Sequence, residues 1–567
     1  MSNKETFYLS TPIYYVNAVP HLGTAYTTVA TDTLARFMRM CGKDVWYLTG
    51  LDEHGQKIAQ AAEDEGKTPQ EWVDEVAPKF KAAWKALDIT NDDFIRTTEE
   101  RHIQGVQCFF KELYEKGYIY KDTYKGYYCV PEETFFSSEE LSEFAETRAG
   151  ENLPSKDENG VLLCPDCCRP LTFVEEDNLF FKLSAFEQPL LDHYEANPDF
   201  IQPETRKNEV LSFVRGGLND LSVSRTTFDW GVPIPFAPGH VSYVWVDALI
   251  NYISALGYGS DKPEDIARFE KYWPAQVHFV GKDIIRFHCV IWPAMLMAAG
   301  LELPQKVFAH GFLLAKGEKM SKSKGNVMDP LALTKTFSVD GYRYYFLRDV
   351  QFGSDGSISL ERMLQVYNAD LANSWGNLCS RALNMTSKYR EGKTPLLDEE
   401  TAEILKAQMG NPLEDLVNSG LYARYAEALS AINYSGAMDA AMELVDAANL
   451  YIEQSAPWTL AKAAAVEAEE AAERGEGSPE ALAVPSQAHK LSFVLYNVLE
   501  SMRITAALFA PVMPNSSKEV WTRLGLGDLL AVDNQEEVCT WGNLPANLET
   551  TIGDPLFMRL TEDDISL

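Results

Sequence analysis

The chain has 567 residues, 46% of them hydrophobic, with 50 basic against 83 acidic side chains and a formal net charge of −33. That length suggests roughly three or four domains, and the acidic balance taken alone argues against a nucleic-acid partner, although a local basic stripe suffices for one. The N-terminus has no long apolar stretch, and no run reaches the roughly 18 apolar residues of a membrane span. The nine mostly scattered cysteines, without an export signal, read as reduced thiols in a cytoplasmic protein with no membrane partner.

Residues 6–120 alternate strand and helix patterns. Phe7-Tyr8-Leu9-Ser10 predicts a strand, Ala25 to Met40 has helical spacing, and Asp44 to Thr49 predicts a second strand ending at Gly50. That interval predicts a parallel α/β sheet, with ligands beyond the carboxyl ends of its strands. No G-x-G-x-x-G occurs, which disfavours a dinucleotide fold of the dehydrogenase type. From 121 to about 228 the pattern changes to short aromatic-rich runs, turn residues and a cysteine cluster, which predicts an inserted β-rich module. The α/β pattern resumes from about 233, in Val241 to Val246, Val277 to Gly281 and Lys306 to Gly311. From about 365 the chain reads as helical, with Leu491, Val494, Leu495, Val498 and Met502 on one face and a break at Pro511 and Pro514. Ala463 to Leu482 reads in its second half as a solvated connection between helices.

Two short stretches carry the chemistry. Pro20-His21-Leu22-Gly23-Thr24 follows the first strand. A histidine and a glycine at a strand-to-helix turn let phosphates approach backbone N–H groups and a helix N-terminus, and an imidazole donates to a phosphate oxygen in the transition state. Lys319-Met320-Ser321-Lys322-Ser323 places two lysines three apart among hydroxyls, before Gly325. Such a loop closes over a polyphosphate and neutralises developing charge. Taken singly, each stretch reads more simply as a surface turn and a solvated basic loop.

Together they resemble the HIGH and KMSKS signatures of class I aminoacyl-tRNA synthetases. Thr24 stands where the first signature usually has histidine, so position 24 offers an uncharged hydroxyl donor. The finer resemblance, over nearly the whole chain, is to the methionyl-tRNA synthetase family. It rests on Thr11 to Gly23, Thr49-Gly-Leu-Asp-Glu-His-Gly55, Tyr243-Val-Trp-Val-Asp-Ala248, Phe279-Val-Gly-Lys-Asp283 and Phe287-His288 with Trp292-Pro-Ala-Met295, in family order. The resemblance implies a Rossmann-like α/β catalytic domain in two halves, 1–120 and 229–325. An inserted module at 121–228 would split it, with a KMSKS-linked stem-contact region at 326–364 and a helical anticodon-binding domain at 365–567.

It further implies an ATP-dependent methionine–tRNA ligase. His21, Gly23, Thr24, Lys319 and Lys322 would be catalytic, and His21, Gly23 and Lys319 to Ser323, with Met320 and Ser321, would hold ATP and its Mg²⁺. Asp52 would take the methionine ammonium. Ile13, Tyr15, Trp245, Ala248, Leu249, Tyr252, Ile284, His288 and Trp292 would wall the side chain, since aromatic surfaces suit an unbranched thioether. Leu249 stands where some relatives have proline. Asn377, Arg381 and Trp458 would read the anticodon of tRNA(Met), the initiator included; Asn377 and Arg381, four apart, share a helical face. In the module Cys129, Glu132, Cys164 and Cys167 would hold Zn²⁺ tetrahedrally, with Cys168 as a spare thiol; a knuckle that folds without metal is the alternative. Some relatives carry a dimerisation domain beyond the point where this chain ends, which reads here as a monomer. Two rivals are another class I synthetase, such as the cysteinyl enzyme, and a non-catalytic RNA-binding paralogue, towards which only Thr24 points.

Overall fold

The computed structural model describes residues 4–16, 19–130, 134–136, 138–150, 153–165, 167–315, 318–319, 328–473 and 485–565. Its first half is built on one parallel sheet. The strands β1 (Thr6–Tyr15), β2 (Asp44–Asp52) and β3 (Asp93–Arg96) are followed by the module strands β4 (Ile119–Cys129), β5 (Thr134–Phe136) and β6 (Thr172–Phe181). Then come β7 (Ile201–Gln202), β8 (Leu221–Ser222), β9 (Ser224–Arg225), β10 (Val241–Ser242), β11 (Val277–Gly281) and β12 (Val307–His310). The main sheet runs β3-β2-β1-β11-β12-β7, and every pairing in it is parallel. The chain leaves β1 to one side for β2 and β3, and to the other for β11 and β12. β1 and β11 therefore flank a topological switch point, where the crevice at the carboxyl ends takes ligands.

The strands are covered on both faces, as parallel strands must be. One buried cluster joins Leu9, Tyr47 and Phe279 to the helix α1 (Leu22–Met40) and to the helical half of the chain. The other joins Tyr8, Leu48 and Val280 to the helices Val244–Ser254 and Trp292–Ala299. Pro12 interrupts β1, and its register against β2 shifts between Ser10 and Ile13, because proline has no N–H for the ladder.

The module is a four-stranded antiparallel sheet, β5-β4-β6-β8. Its tip has a small core of Cys129, Phe136, Leu141, Cys164 and Leu171. Two details differ from the sequence reading. Ile201–Gln202 falls within 121–228 but pairs with β12 at the edge of the main sheet. Val241–Val246 is not a strand throughout: β10 stops at Ser242 and a helix starts at Val244. A short apolar run fits a buried helix turn as well as a strand.

After β12, β13 (Leu313–Ala315) pairs with β14 (Glu318–Lys319) and with β15 (Gly356–Ile358). The helix Pro330–Arg348 leads into the helical half. There the helix Gln487–Phe509 is buried over nearly all of Leu491–Phe509, as the central helix of a bundle is. It ends before Pro511, and the next helix begins at Pro514. No helix among the described residues is long and apolar enough to cross a membrane.

Candidate active site

A cavity of about 360 Å³ opens at the switch point. The ends of β1, β2, β11 and β12, the start of α1 and the helix Val244–Ser254 enclose it. Ile13, Tyr15, Asp52, Trp245, Ala248, Leu249, Tyr252, Ile284 and His288 line it, together with His21, Gly23 and Thr24. Trp292 does not reach it. That residue is fully buried one layer back, with its ring 6.2 Å from Tyr252 and 6.1 Å from Phe109. It is four residues past His288, so it shares that helical face but sits a turn deeper.

The start of α1 is set by its own side chains. His21 is the N-cap residue, and its Nδ1 accepts from the N–H of Gly23 (3.1 Å) and Thr24 (3.4 Å). Thr24 completes a reciprocal box: its hydroxyl accepts from the His21 N–H at 3.1 Å and donates to the His21 carbonyl at 2.7 Å. With Nδ1 accepting, the ring proton sits on Nε2, the form that donates to an anion. A side chain at Gly23 would press on the His21 imidazole, since a Cβ there would lie 3.1 Å from Cε1. Capping turn and glycine form a helix N-terminus, the end whose dipole favours anions, with the Gly23 and Thr24 N–H groups here taken by His21 Nδ1.

The opposite end is apolar with few polar groups. Trp245 stacks on Phe287, with centroids 4.0 Å apart and planes at 14°. The Oη of Tyr252 donates to Nε2 of His288 (2.7 Å), whose Nδ1 donates to the Ile284 carbonyl (2.9 Å). His288 lies in a π-helical turn, Phe287–Ile291, a wide turn that occurs often at functional sites. Burial pushes His288 down to about 4 and holds the Tyr252 phenol well above its ordinary value. Asp52 ends β2, directly opposite Tyr15 on β1, and is 5% exposed. A carboxylate at one edge of an apolar aromatic pocket suits a ligand with an ammonium at one end and a thioether at the other.

Several lining residues escape sequence reasoning. Lys57 lies over the Tyr15 ring at 5.3 Å. His310 accepts at Nε2 from the Thr27 hydroxyl (2.7 Å) and donates from Nδ1 to the Gly311 carbonyl (2.8 Å), and burial lowers its pKa. Asp283 also borders the cavity. Asp283 lies in the matched stretch Phe279–Asp283 and His310 in the strand Lys306–Gly311, whereas Lys57 lies two residues past Thr49–Gly55; only the strand order brings them together.

Lys319 lies in β14, paired with Leu314, close in sequence to Phe312 and Leu313 of the cavity wall. Met320, Ser321, Lys322 and Ser323 lie outside the described residues, and so does Glu132. The Sγ atoms of Cys129, Cys164 and Cys167 all lie within 4.8 Å of one another at the module tip. Cys168 is exposed and is not one of this group. In the helical half, Arg381 pairs with Glu453 at 2.6 Å, Asn377 is half-buried one turn away, and Trp458 is 43% exposed.

The family model described as tRNA synthetases class I (M) matches residues 7–383. A methionine–tRNA ligase of Streptomyces coelicolor is 46% identical, over 98% of this chain and 97% of its own. One of Thermotoga maritima is 44% identical, over 98% of this chain and 81% of its own. Among solved structures, Mycobacterium tuberculosis methionyl-tRNA synthetase in complex with methionyl-adenylate superposes with a TM-score of 0.84 at 39% identity, over 98% of this chain and 99% of that one. The free-state form of the same enzyme gives 0.79 at 36% identity, over 99% of each chain. A signature turn capping α1, a carboxylate-edged aromatic pocket at the switch point and likeness over the full length agree: the chain belongs to the methionine–tRNA ligase family of class I tRNA synthetases.

Proposed function

We propose that the cavity at the switch point is where the chain works as a methionine–tRNA ligase, with both substrates of the first step seated side by side. The observation that carries this reading is the pairing, in one cavity, of the helix N-terminus at His21–Thr24 with an aromatic pocket edged by Asp52. Asp52 takes the α-ammonium, and Trp245, Tyr252, His288 and the aliphatic wall take the side chain. The methionine carboxylate attacks the α-phosphate of ATP in line, and pyrophosphate leaves. The terminal ribose hydroxyl of tRNA(Met) then attacks the activated carbonyl, releasing AMP. No protein nucleophile is needed, so rate comes from positioning and charge stabilisation. His21, Gly23 and Thr24 act on the phosphates, joined by Lys319, Lys322 and the hydroxyls of their loop. Mg²⁺ enters on the nucleotide, held mainly by phosphate oxygens and water.

The remaining assignments follow the same reading. Residues 1–120 and 229–325 form the catalytic unit, 121–228 the module, 326–364 the stem-contact region and 365–567 the anticodon-binding part, with Ile201–Gln202 returning to the main sheet. Three clustered thiols fit a structural Zn²⁺ site, with Glu132 as the fourth ligand; the metal would fasten the module tip. Nine thiols, none of them in a disulfide, suit a cytoplasmic, reducing setting. Asn377, Arg381 and Trp458 read the anticodon of initiator and elongator tRNA(Met), which the exposed indole supports, because unstacked bases are bound by aromatic stacking. Trp458→Ala tests this division of labour. Charging of tRNA falls at least a hundredfold while methionine-dependent pyrophosphate exchange keeps its rate; equal loss of both overturns the assignment.

A further inference from the structure

Asp52 borders the cavity, but its neighbours Glu53 and His54 turn into the protein. Nδ1 of His54 donates to Oδ2 of Asp247 at 2.6 Å. The other oxygen, Oδ1, accepts from Nε2 of His102 at 2.7 Å, and Nδ1 of His102 is 2.8 Å from Ser254 Oγ. Asp247 and His102 are fully buried, and none of the three borders the cavity. Burial works to raise the Asp247 pKa, but the two imidazoles outweigh it and hold the group down at about 2. A carboxylate gripped on both oxygens in a low dielectric has its direction fixed.

The surrounding contacts leave the turn little freedom. Trp230 meets the His54 ring at 5.4 Å and donates from Nε1 to the Glu53 carbonyl at 2.6 Å, and Gly55 returns a bond to the Trp230 carbonyl at 3.1 Å. Gly55 has φ 105°, a conformation open mainly to glycine. The Glu53 carboxylate, also buried, accepts from Arg96 Nε at 2.7 Å. Asp247 itself stands in the first turn of the helix Val244–Ser254, which supplies Trp245, Ala248, Leu249 and Tyr252 to the pocket.

We propose that Asp247, acting through His54, is a positioning residue for amino-acid selection: it fixes the distance between the Asp52 carboxylate and the helix that walls the side-chain pocket. An enzyme that grips an amino acid at its ammonium and at its side-chain end must hold those two grips a set distance apart. A shift of about 1 Å between them costs on the order of a hundredfold in rate. The brace joins the two elements that carry the grips, and the outer arm through His102 ties them to the helix Glu100–Glu115. This inference rests on the reading of Asp52 and the pocket given above.

The test is pyrophosphate exchange with the full chain, measured for methionine, for norleucine and for ethionine, which is one methylene longer. His54→Ala raises the methionine KM about tenfold, leaves the ATP KM unchanged and narrows the preference for methionine over ethionine. His54→Asn, whose side-chain amide replaces the Nδ1 donor, restores most of the wild-type pattern. Should His54→Ala not fold, His102→Ala is the second variant, with a smaller shift in the same direction. Unchanged selectivity in the folded variants, with only a lower melting temperature, makes the brace purely structural and overturns the inference. Wild-type protein that shows no methionine-dependent exchange overturns the underlying reading as well, so the two failures are distinguishable.

Discussion

The bond between Tyr252 and His288 shows what single side chains contribute to the pocket. Both ring nitrogens of His288 have partners that suit an uncharged imidazole, one accepting and one donating. A neutral ring presents no charge to an apolar thioether. Tyr252→Phe removes the donor and leaves a buried acceptor, at about 1–2 kcal/mol. The methionine KM should rise about tenfold while the ATP KM holds, measured by exchange kinetics. The same histidine sets a pH dependence. Its folded pKa, about 4, lies below the ordinary 6.5, so the unfolded chain takes the proton first as pH falls. Its contribution to stability is therefore complete above about pH 6.5 and is lost towards pH 4, amounting to roughly 3 kcal/mol. Melting temperatures between pH 7 and 4 should fall, and less steeply in His288→Gln. Motif likeness picked out His288, which lies in a matched stretch, and Tyr252, four residues past the end of another. It did not give depth: Trp292 shares the matched stretch and the helical face, yet only packing shows that it lies behind Tyr252. Thr24 was legible as a departure, but its part in capping α1 needed coordinates.

Among elements, the module tip and the two strand exceptions are the most instructive. A core of five residues around Cys129 and Cys164 is too small to hold a fold by burial alone, since small cores leave most of their surface wet. Cys167→Ser, or removal of metal by a chelator, should loosen the tip. Bound zinc should fall and proteolysis within 130–170 should speed up several-fold, with methionine-dependent exchange in the main sheet retained. Unchanged protease resistance with no zinc bound would support the metal-free knuckle. The cysteines were legible from spacing; their convergence came from the antiparallel pairing of β4 with β6. Ile201–Gln202 could not be read as a sheet strand, because two residues carry no period. Its place depends on β12, over a hundred residues later.

Across the whole molecule, one buried cation ties the two halves together. Arg343 donates to Asp32 of α1 at 2.7 Å, to the Leu87 carbonyl at 3.2 Å, and to the carbonyls of Val512 (2.7 Å) and Pro511 (3.1 Å). Asp32 is held down at about 2: burial opposes this, but Arg36 and Arg343 prevail. Asp32→Ala leaves Arg343 buried without its counter-charge and should cost about 3–5 kcal/mol. A lowered urea midpoint by tryptophan fluorescence checks it. The succession of parallel sheet, antiparallel module and helical half was legible because their patterns follow one another along the chain, whereas this junction was not, since its partners are separated by hundreds of residues and carry no motif. Methionine activation in the switch-point cavity underlies every assignment above. Its most direct test is ATP–pyrophosphate exchange by the purified chain with each of the twenty amino acids. Exchange with methionine, and none of comparable efficiency with the others, is expected. Exchange led by a different amino acid, or no exchange with any, would contradict it.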